Sequence, residues 1–144
     1  MRYASIRGFA VAAASAATLI CFGYAPIVQA QSLRLRATIP FDFHVGSEIF
    51  PAGMYDIKLI AGAAIQMFTD KGKVIAASST TPVSNRAEKS GSRLVFNKYG
   101  DDHFLSEVHW SGYSIGRGLF MSRGELEIAR NTTRKRVVAS VVGP

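Results

Sequence analysis

Along His103-Phe104-Leu105-Ser106-Glu107-Val108-His109, two imidazoles and a carboxylate fall at alternate positions, the spacing that brings side chains to one face of an extended chain. Imidazole and carboxylate are zinc ligands, and Glu107 and His109 would stand about 7 Å apart along a strand, close enough to share one ion. His103 and His109 would stand about 20 Å apart, so one metal cannot use both and needs a third ligand from another strand. A metal-dependent enzyme is one reading of this stretch, with Asp101 nearby. The other is an outward polar face. His44, alone on an earlier segment, reads as a surface residue.

Other reaction chemistry finds less to work with. Asp101 and Asp102 are neighbours in a turn cluster, where Asp is favoured for backbone reasons, so they do not read as paired glycosidase carboxylates. No nucleophile elbow is expected, and no H-E-x-x-H or Walker pattern occurs. Lys89-Ser90-Gly91 resembles one element of penicillin-recognising enzymes, but no S-x-x-K accompanies it. Gly112, Gly116 and Gly118 lack dinucleotide-fold spacing, and Ser111 to Gly118 reads as a flexible loop. Asn131-Thr132-Thr133 matches a glycosylation sequon by pattern only. The expectation is a protein with no catalytic residues, no cofactor and no metal, whose best contact patch for an anionic partner is Arg123, Arg130, Arg134, Lys135 and Arg136.

The start of the chain says where such a patch would work. Arg2 and Arg7 precede an uncharged run, Phe9 to Phe22, and Val28-Gln29-Ala30 offers a small-x-small cleavage site. Residues 1–30 therefore read as a secretory signal peptide, and 31–144 as a single β domain in the periplasm or outside the cell. The uncharged stretch Gly8 to Ala30 is also about as long as the roughly 20 residues of a spanning helix, so a retained anchor is the rival reading. Cys21 is the single cysteine and leaves with the leader, so no disulfide is expected in a compartment that permits them. Two of the 17 basic residues leave with it and none of the 10 acidic ones, which takes the net charge from +7 to +5. A basic exported domain suits an anionic envelope polymer or protein; nucleic acid is not expected there.

The mature part must position the patch with strands. Leu33, Leu35, Ala37, Ile39, Phe41, Phe43 and Val45 are apolar at every odd position, the clearest strand signal in the chain. Pro40 on the other face cannot donate to a ladder, so this strand is an edge or bends in two, as strands do when they pass from sheet to sheet. Tyr55 to Leu59, Ile65 to Thr69 and Val74 to Thr81 follow as strands between turns at Gly46 to Glu48, Pro51 to Gly53, Ala61 to Ala64 and Asp70 to Lys73. Pro82 to Ser92 reads as a mobile loop.

Leu94 to Tyr99 and His103 to Trp110 form the central hairpin. A three-residue loop, Gly100 to Asp102, is expected, because it puts Leu94 and Phe96 on one face with Phe104, Val108 and Trp110. Ser122 and Glu125 match the capping box of a short helix over Arg123 to Arg130, with Leu126, Ile128 and Ala129 free to pack inward. Val137 to Val142 reads as a last strand.

Several of these segments together resemble a group of small exported bacterial proteins of unknown role: Ile39-Pro40-Phe41-Asp42-Phe43, Pro51-Ala52-Gly53-x-Tyr55, Leu94-Val95-Phe96-x-Lys98-Tyr99-Gly100-Asp101, Phe104-Leu105-Ser106-Glu107 and the helix from Ser122 to Arg130. The resemblance spans most of the mature chain and implies the same boundaries and a β fold, without a site. Gly124-Glu125-Leu126-Glu127 departs from it, since the group tends to have a stronger helix former there. The expected fold is all-β, a small barrel or sandwich of about six or seven antiparallel strands with one short C-terminal helix. The expected role is a non-catalytic binding or structural module of the cell envelope. The alternative is a β-barrel carrier of a small apolar ligand, with Phe41, Phe43, Tyr55, Phe96, Phe104 and Trp110 lining its interior. After cleavage no membrane-spanning segment is expected.

Overall fold

The chain separates into two compact units, Met1–Ala30 and Gln31–Pro144. The structure, a computed structural model, describes residues 32–86 and 91–141, all in the second unit. The leader, its cleavage site, Cys21, Lys89, Ser90 and Val142 lie outside the described residues. Ten strands and one helix occur among those described: β1 (Arg34–Ile39), β2 (Phe43–Val45), β3 (Glu48–Phe50), β4 (Gly53–Ile60), β5 (Ala64–Thr69), β6 (Val74–Ser84), β7 (Arg93–Tyr99), β8 (Asp102–His109), β9 (Ile115–Leu119), α1 (Arg123–Asn131) and β10 (Lys135–Ser140).

The protein is all-β and sandwich-like. One layer is β1-β4-β5 with the first half of β6; the other is the second half of β6 with β9, β8, β7, β10 and the β2–β3 hairpin. β1 and the residue that follows β10 meet at one bridge, Ala37 with Val141, and no ladder closes a barrel among the described residues. Parity explains the first layer. Leu35, Ala37 and Ile39 are buried while Arg34, Arg36 and Thr38 are exposed, and Leu35 and Ala37 pair with Ile57 and Tyr55 of β4. At Pro40 the odd-position run breaks, and Phe43 and Val45 resume it in β2, which belongs to the other layer.

Phe43 is the hub of the interior. Its ring meets those of Tyr55 and Phe96 edge-on, at centroid distances of 5.2 and 5.7 Å, and Ile39, Ile57, Ile65, Met67 and Leu94 pack around them. Edge-to-face packing of this kind fills space that a ligand would otherwise occupy. On the outer side of β1 and β4, Asp56 is only 2% exposed and is clamped by Arg34 at 2.6 Å and Arg36 at 2.8 Å. The hydrogen bond from Arg36 holds its carboxyl down to about 2 against the upward push of burial, and Arg34 adds to the effect.

The central hairpin differs from the sequence expectation. Tyr99 pairs with Asp102, so the loop is the two residues Gly100 and Asp101, with Gly100 at φ 59°, as a type II′ turn requires of its first central residue. The register then shifts between Val95 and Phe96: Phe96 faces Leu105, Val95 faces Glu107, and Ser106 is the extra residue of a bulge. The bulge brings Leu94 opposite Val108, as the apolar pattern asks, but sends Phe104 to the other face, where its ring stacks on His44 at 4.2 Å.

Further corrections concern strand ends and short strands. β3 starts at Glu48, expected to belong to a turn, and fills the unassigned Ile49 and Phe50, and β6 runs past Pro82 to Ser84 where a loop was expected. Pro82 is tolerated because β5 has ended by then, leaving β6 a neighbour only on its β9 side. β9 starts inside the stretch read as the loop Ser111 to Gly118 and ends one residue past it. Its glycines serve close approach: a Cβ on Gly118 would lie 2.8 Å from a methyl of Val83, and one on Gly116 would collide with the His109 ring. The last strand starts earlier than expected, at Lys135.

Candidate functional site

The bulge divides the histidines of β8. His103 and Leu105 turn to the core side with Phe96, and His103 stacks on Phe41 at 3.9 Å; burial, then the charge of Lys98, holds its imidazole below the ordinary value. Glu107 and His109 turn to the opposite side, so the single face expected to carry His103, Leu105, Glu107 and His109 does not exist. His109 is 0% exposed, and its Nε2 bonds Glu107 Oε2 at 2.8 Å. The other Glu107 oxygen takes Arg136 of β10. Burial pushes the Glu107 carboxyl up, but the hydrogen bond to His109 and the Arg136 charge outweigh it and leave the group below its usual range.

The third neighbour of the Glu107–His109 pair is thus a cation, which repels a second cation at the same carboxylate. Among the described residues no three His, Cys, Asp or Glu side chains converge as metal ligands. His109 Nδ1 has no hydrogen-bond partner and lies against Gly116. The chain Arg136–Glu107–His109 ties β10 to β8 across β7 and leaves no space beside the imidazole.

Helix α1 is the second feature of that face. Ser122 caps it, its Oγ accepting from the Glu125 amide at 3.1 Å. The expected return bond from Glu125 to the cap is replaced by a bond downward: the Glu125 side chain, 4% exposed, accepts from Asn97 at 2.9 Å and Tyr99 at 3.4 Å on β7. Burial, then the Glu125 charge, pushes the Tyr99 phenol up, and Arg134 beside it pulls the other way. Leu126, expected to pack inward, is instead 45% exposed; only Ile128 and Ala129 are half-buried toward the sheet.

The structure brings part of the basic patch together. Arg123 and Arg130 are both exposed on α1, seven residues apart, which places them about 10 Å apart along the axis and nearly on one line. Arg134 and Lys135 follow the helix and are exposed, whereas Arg136 is spent on Glu107. Arg123, Arg130 and Lys135 form no ion pair with another described residue. Reading the sequence missed Asn97, Tyr99 and Glu125 as an anchor. The available signal was Asn97, an amide in the middle of the most apolar strand.

An open groove of about 410 Å³ runs between the β2–β3 turn, residues 45–48, and residues 74–77 of β6. No aromatic residue lines it. Of the aromatic residues proposed to line a carrier cavity, Phe43, Tyr55, Phe96, Phe104 and Trp110 are buried and Phe41 is half-buried; Phe43, Tyr55 and Phe96 pack on one another, and Phe104 lies on the far side of β8. No described helix is long and apolar enough to cross a membrane. The chain matches no family model, no curated protein and no solved structure.

Proposed function

We propose that this protein is an exported, non-catalytic binding module of the cell envelope that meets an anionic partner with α1 and the start of β10. The observation that supports this reading is the mounting of the helix. Glu125 pins α1 to β7 from beneath, so Arg123 and Arg130 are presented on a fixed line rather than on a mobile loop. Fixing the charges in advance lowers the ordering cost of binding.

Co-sedimentation of the purified protein with envelope fragments tests it. The wild type is expected to pellet at low salt and to be released as salt is raised, because exposed charges are screened beyond about 8–10 Å near physiological ionic strength. The R123E/R130E/K135E variant is expected to stay in the supernatant. A wild type that never pellets, or a variant that pellets equally, sinks the reading.

A further inference from the structure

A helix that only covers a sheet turns its apolar residues inward and its charges outward. Helix α1 does the reverse at its middle. Glu125 goes under, at the expense of desolvating a carboxylate that then needs Asn97 and Tyr99, while the adjacent Leu126 faces out. Leu126 lies three residues after Arg123 and four before Arg130, so the three share one outward stripe, Arg-Leu-Arg. Phe120, two residues before the cap, is 65% exposed near the N-terminal end of the helix. Glu127, the single exposed carboxylate of the helix, lies four residues after Arg123 and three before Arg130, on the flank of the arginine line away from Leu126. The line thus carries one acidic neighbour, and Leu126 forms its apolar flank.

From this arrangement we infer that the outward stripe of α1, with Phe120, is a docking surface for an anionic phospholipid bilayer; the inference rests on the binding role proposed above and names its partner. Lipid fits better than a soluble polyanion for a physical reason. A polyanion would satisfy Arg123 and Arg130 but leave Leu126 and Phe120 in water. A bilayer surface offers phosphates at the depth of the guanidinium groups and an acyl boundary just beneath, and long Arg stems reach between the two. The helix lies along the membrane plane and does not span it. Arg134 and Lys135 add charge at its C-terminal end.

Vesicle flotation tests this with the purified protein and two lipid mixtures, phosphatidylcholine alone and phosphatidylcholine with phosphatidylglycerol. Binding is expected only to the second. R123E/R130E is expected to weaken it by more than tenfold, since each basic residue near such a surface contributes about fivefold. F120S/L126S, which keeps every charge, is expected to weaken it about tenfold. Circular dichroism and the melting temperature of both variants should match the wild type, because all four side chains are exposed.

Binding to a soluble polyanion that F120S/L126S leaves unchanged, without vesicle binding, overturns the lipid partner while keeping the binding role. Failure to bind vesicles, polyanion and envelope fragments overturns both. If L126S converts a dimer to a monomer in ultracentrifugation and vesicles are not bound, the stripe is a self-contact and the inference falls.

Discussion

Asp56 shows how one buried carboxylate can make a β sandwich sensitive to acid. Its carboxyl titrates at about 2 when folded and at 3.8 ordinarily, so the folded value is the depressed one. Its contribution is therefore complete above the ordinary value and is lost as pH falls from 3.8 through 2. Urea denaturation across that range should show a loss of about 2 kcal/mol that D56N lacks, with D56N less stable than the wild type at neutral pH. An identical pH profile for the two proteins would refute the assignment. The alternating pattern predicts Asp56 on the outer face, where it sits. That Arg34 and Arg36 would enclose it follows only from the register of β1 on β4, which no single segment encodes.

At the scale of the element, β9 is the sharpest case. Gly116 and Gly118 look like loop residues because glycine is common where chains turn, yet here they let the backbone approach His109 and Val83. Gly116→Ala is expected to cost on the order of 2 kcal/mol, since a methyl must displace a fully buried imidazole. Equilibrium unfolding measures it, and an unchanged midpoint would refute the close approach. The long first strand was legible because seven apolar residues hold one parity, and its break was legible from Pro40. The central hairpin was legible as a hairpin but not in register: an odd loop and an even loop with a bulge at Ser106 both bring Leu94 to Val108, and only the turn geometry at Gly100 separates them. Helix α1 was legible from Ser122 and Glu125. Which way it faced was not, because Leu126 and Glu125 exchange the places that their polarity suggests.

For the whole molecule, the all-β class and the single core were readable from parity alone, while the count of strands was not, because β3 and β9 are short and carry no alternation of their own. The proposed contact patch was half legible: its basic residues stand out in the sequence, but the diversion of Arg136 to Glu107 depends on β10 lying beside β7. The export reading has its own measurement, the intact mass of protein recovered from outside the cytoplasm, expected to begin at Gln31; a chain that keeps its first 30 residues would mean a retained anchor. The position of β10 carries one more consequence. It lies beside β7 and touches β1, both of which precede it in the chain. The rims of β7 and β1 thus stay bare until the chain has been made as far as residue 141. A chain cut before Lys135 is therefore expected to leave both rims open to pairing with a second copy.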